Sequence, residues 1–69
     1  MAGVLSSVMK NTNADLLSAI AYGRQLILEG EDRQPIIDTL NADVLRNRAD
    51  LYEDELAGLI DSLDALEKI

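Results

Sequence analysis

The side chains able to do chemistry in this 69-residue chain are carboxylates, two tyrosines and six bases; there is no His and no Cys. No Ser-His or Cys-His nucleophile can be assembled, and the commonest general base is absent. Zinc centres of the usual kinds and disulfides are excluded on the same ground. What remains is acid chemistry. Asp43, Asp50, Asp54, Asp61 and Asp64 recur along the C-terminal half, and Glu53-Asp54-Glu55 forms a local run beside Tyr52. Three consecutive helical residues fan over about 200°, so that run cannot converge on one ion. There is no calcium-type loop of spaced acids around a Gly. A di-iron carboxylate centre would need Glu-x-x-His pairs. These residues predict a protein without catalytic residues, metal or cofactor.

The charge is unevenly placed. Residues 1–28 hold Lys10, Arg24 and Asp15, a balance of +1, whereas residues 29–69 hold twelve acids and four bases, a balance of −8, giving −7 in total. Such a balance opposes binding to phosphate backbones and to anionic membranes. It keeps a small oligomer soluble. No stretch has the roughly 18–20 apolar residues of a membrane span, and no basic region precedes Val4–Met9 as in a secretory signal. An intracellular, cytoplasmic protein is the expectation.

The elements that would position these residues are helices. The mix is rich in Leu, Ala, Asp and Glu, with one Pro and four Gly, and it has no long alternating β-branched run. Ala42, Leu45, Ala49, Tyr52, Leu56, Leu59, Leu63 and Leu66 follow spacings of 3 and 4 in alternation, which is a heptad seam on one face of a helix. The a positions (42, 49, 56, 63) contain no β-branched residue and two Ala, unlike a parallel dimeric coiled coil. Ile60, Leu51 and Val44 broaden the apolar face, which favours a bundle.

Upstream, Thr12 and Asp15 fit a capping box, predicting a first helix from about Asn13 to Glu29. Gly30 is suited to the C′ position, and Pro35 to the first turn of a second helix. Ala19 and Gly23 are small and four apart, permitting close approach of a neighbouring backbone. Ile36, Ile37, Leu40 and Val44 lie roughly 90° around the helical wheel from the seam. Either the second helix continues while its buried face swings, or it breaks near Asn41; the sequence favours continuity, a helix about 50 Å long from 35 to 67. Residues 1–12 read as an N-terminal arm or short helix, and residues 13–69 as a helical hairpin domain.

A chain this short buries only about 60% of its unfolded surface, so an extra source of burial is expected. The predicted architecture is an all-α hairpin of two main helices, dimerising into an antiparallel four-helix bundle through the seam; the alternative is that the seam packs on the first helix within a single chain. Two further surfaces could meet a partner: the apolar Val4, Leu5, Val8 and Met9, and an acidic ridge about 32 Å long formed by the five Asp residues. Arg46 pairs naturally with Asp43 or Asp50 at helical spacing. Tyr22 reads either as a hairpin contact or as an exposed anchor. The functional expectation is a small acidic adaptor, regulator or assembly factor acting as a homo-oligomer. The alternatives are an acidic inhibitor of a nucleic-acid-binding protein's basic groove, or a structural subunit of a larger particle.

Overall fold

The computed structural model describes residues 11–69, and within them the chain is all helical. Three helices form, α1 (Thr12–Leu28), α2 (Arg33–Arg46) and α3 (Glu53–Leu66), with a single 3-10 turn at Arg48–Asp50. The all-α expectation holds, but the two-helix hairpin does not: the predicted long second helix is two helices of 14 residues each.

Local chemistry accounts for each boundary. Asn11 caps α1, its side-chain Oδ1 accepting from the Ala14 N–H at 2.9 Å. The cap lies one residue before the Thr12 predicted for it, because Asn is at least as good an acceptor there. At the other end Gly30 takes φ 104°, and the Gly30 and Glu31 N–H groups donate to the Ile27 and Leu26 carbonyls, both at 3.0 Å. This is a complete Schellman closure, and it satisfies carbonyls that a helix end leaves open. Pro35 then sits in the first turn of α2, where its missing N–H costs nothing.

The unforeseen break lies between Arg46 and Glu53. Asn47 folds its side chain back, Nδ2 donating to the Asp43 carbonyl at 2.8 Å. Leu51 and Tyr52 are extended, with φ/ψ of −116°/140° and −76°/161°. α3 starts afresh with Glu53, Asp54 and Glu55 in its first turn, where carboxylates face the positive end of the helix dipole. Glu55 also accepts from the Tyr52 N–H at 3.0 Å.

Each helix packs on the other two. Arg33, at the start of α2, donates from Nη2 to the main-chain oxygen of Ile69, beyond the end of α3. That contact brings the start of α2 beside the end of the chain after α3, so the two helices run antiparallel, and the four-residue turn 29–32 makes α2 antiparallel to α1 as well. The core is built from Leu16 and Ile20 of α1, Ile37, Leu40 and Val44 of α2, and Leu59, Leu63 and Leu66 of α3. The two buried stripes, 90° apart on one imagined helix, thus belong to two helices that both face α1.

Candidate interaction surface

The eight residues of the heptad seam do not share a face. Leu59, Leu63 and Leu66 are buried in the core of the single chain, and Leu56 is half-buried. Ala42 and Ala49 are exposed, Leu45 is 66% exposed and Tyr52 77% exposed. The break at Asn47–Tyr52 divides them, and the buried end of the seam packs on α1 and α2 of its own chain. Of the flanking residues, Val44 is buried, Leu51 half-buried, and Ile60 is 47% exposed.

The five Asp residues likewise do not form one straight ridge. Asp43 lies on α2 and pairs with Arg46, as the sequence predicted. Asp50 lies in the 3-10 turn, and Asp54, Asp61 and Asp64 stand exposed on α3. Val4, Leu5, Val8 and Met9 lie outside the described residues. Among the described residues no group of three or more acids could hold a metal ion, and no helix is long and apolar enough to cross a membrane.

What the surface does offer is shallow apolar grooves between helices. A groove of about 340 Å³ runs between α1 and α2, lined by Tyr22, Gly23 and Leu26 on one side and Ile36, Thr39 and Leu40 on the other. At its floor Gly23 lets α2 side chains pack close on α1: a Cβ there would lie 2.9 Å from both Ile36 Cγ2 and Leu40 Cδ1. At Gly23 what comes close is two side chains, not the neighbouring backbone expected from the sequence. Tyr22, 64% exposed, stands at the rim. Every residue lining this groove is uncharged.

A second groove, of about 360 Å³, lies at the corner between the 3-10 turn and α3, lined by Arg48, Leu51, Glu53, Leu56, Ala57 and Ile60. Its surroundings are acidic, unlike those of the first. Sequence reasoning placed Ile60 and Leu51 inside because it ran the helix through 47–52. The three-acid run at 53–55 is the signal that could have revealed a new helix start there. No family model matches this chain, and no curated protein or solved structure matches it either.

Proposed function

We propose that this chain is a small non-enzymatic interaction module, an adaptor, regulator or assembly factor, that works as a homodimer joined across the α1–α2 groove. The observation that carries this reading is the neutrality of that groove in a chain of net charge −7. Two copies of an acidic protein repel wherever carboxylates face each other. Apolar surface lined only by uncharged residues avoids that cost. Beyond the groove, α1 carries Asp15 and Arg24 and α2 carries Arg33, Asp38, Asp43 and Arg46, so acids and bases are equal in number on the two helices that would meet. Two copies meeting there would place α1 and α2 of each in an antiparallel four-helix layer, the four-helix bundle expected from sequence but built from different helices. Small size supports the same reading, since association supplies burial that a chain of this length lacks.

Sedimentation of the wild type and of a Tyr22→Lys, Thr39→Lys variant tests the proposal. Both positions are exposed, so the fold should persist by circular dichroism. The wild type should sediment at about 15 kDa, twice the 7.5 kDa of one chain, and the variant at the single-chain mass. A wild type that stays at the single-chain mass at every concentration overturns the dimer. A variant that remains a dimer overturns the groove assignment.

A further inference from the structure

We infer that the corner groove on α3 is a docking site for a basic amphipathic helix of another protein. The inference deepens the interaction-module reading and does not depend on the dimer. Glu53, Leu56, Ala57, Ile60 and Asp64 follow spacings of 3, 1, 3 and 4, which places them on one stripe of α3. That stripe lies about 100° from the one carrying Leu59, Leu63 and Leu66, so it is not consumed by the core. Its centre is apolar and open: Leu56 is half-buried, and Ala57 and Ile60 are exposed. The half-buried Leu51 closes one side of the groove, and exposed Tyr52 stands between Leu51 and Glu53.

Charge selects the occupant. Carboxylates bound the apolar centre at both ends of the stripe, Glu53 and Asp64, and Asp54 and Asp61 stand on its outer flank; among the described residues these four acids outnumber the bases beside them, Arg48 at one end and Lys68 at the other. A second copy of this acidic chain would bring carboxylate against carboxylate. A helix that presents apolar side chains at i, i+3, i+4 and i+7 with Lys or Arg beside them matches both features at once. Its apolar side chains fill the groove over Ile60, and its bases meet the acids around it. Such complementarity sets orientation and speeds encounter.

The test uses the full-length protein and a fluorescein-labelled peptide of about 18 residues, five helical turns, with Leu on one face and Lys on the other. Fluorescence anisotropy should show saturable binding that weakens as salt rises. Ile60→Asn keeps the charge and removes the apolar anchor, and should weaken binding about tenfold or more. Glu31→Gln removes one exposed acid from the α1–α2 turn, at the opposite end of the bundle from the corner, and should leave the affinity within about twofold. The same peptide with Glu for Lys should not bind. The Tyr22→Lys, Thr39→Lys variant should bind the Lys peptide as the wild type does, so loss of the dimer and loss of the corner site register separately. No binding of the Lys peptide, equal binding to Ile60→Asn, or equal binding of the Glu peptide would each overturn the inference.

Discussion

Gly23 lies under the Leu40 side chain so closely that a methyl group at position 23 would stand 2.9 Å from Leu40 Cδ1. Ile36 Cγ2 would be equally near, and a β-branched residue in a helix has little rotamer freedom with which to retreat. Gly23→Ala therefore sets two effects against each other. Helix propensity favours Ala by about 1 kcal/mol, while overpacking costs about 1–3 kcal/mol. The clash should win, leaving a net loss of about 1 kcal/mol in urea unfolding. A stability gain would show that α1 and α2 can separate without cost.

Leu59 and Leu45 occupy equivalent seam positions in the sequence and opposite environments in the fold, at 0% and 66% exposure. Leu59→Ala should cost about 2–5 kcal/mol, a large part of the roughly 5–15 kcal/mol that holds a domain together. Leu45→Ala should change stability by less than about 0.5 kcal/mol. Paired denaturant melts decide this, and equal losses would restore a single buried seam. An acidic substitution at Leu59 would unfold the chain whatever its oligomeric state, so it cannot report on association.

The sequence made the helix ends around the first turn legible because single residues carry them. Gly30 supplies a positive φ, Pro35 tolerates a lost donor, and an Asn/Thr cluster offers cap acceptors. It made the second boundary illegible because no Gly or Pro marks it. Asn47 and Asp50 are only mildly unfavourable in a helix, and the heptad count happens to stay in register across the break. The clue was present in the 90° offset between Ile37, Leu40, Val44 and the later leucines. Its meaning depends on α1, which both stripes must face, and a pattern read along one helix does not contain that partner. For the same reason the two grooves were unreadable: each is made by residues from separate elements.

Gly30→Ala tests the Schellman turn. At φ 104° an L side chain meets its own backbone, at a cost of roughly 1–2 kcal/mol. No neighbouring atom lies near a Cβ at that position, so the loss would be purely conformational. Gly30→Asn should cost less, because Asn tolerates positive φ better than other residues. Thermal melts of the three proteins should rank Gly, then Asn, then Ala. An Ala variant as stable as the wild type would mean the turn has another accessible conformation.

The break itself can be challenged by making it helix-friendly. Replacing Asn47 and Asp50 with Ala improves helix propensity by at most about 1.4 kcal/mol in sum. It also removes the Asn47 side-chain bond to the Asp43 carbonyl, a loss of about 0.5–1.5 kcal/mol. Fusing α2 and α3 would draw Leu59, Leu63 and Leu66 away from α1, and each buried leucine contributes about 1.5–3 kcal/mol. Burial outweighs propensity by several kcal/mol, so the double variant should keep three helices. Its far-UV circular dichroism should match the wild type, and its radius of gyration in X-ray scattering should be unchanged. A rise in helicity with an elongated scattering profile would show that the chain is poised between two folds, with tertiary burial too weak to hold the corner.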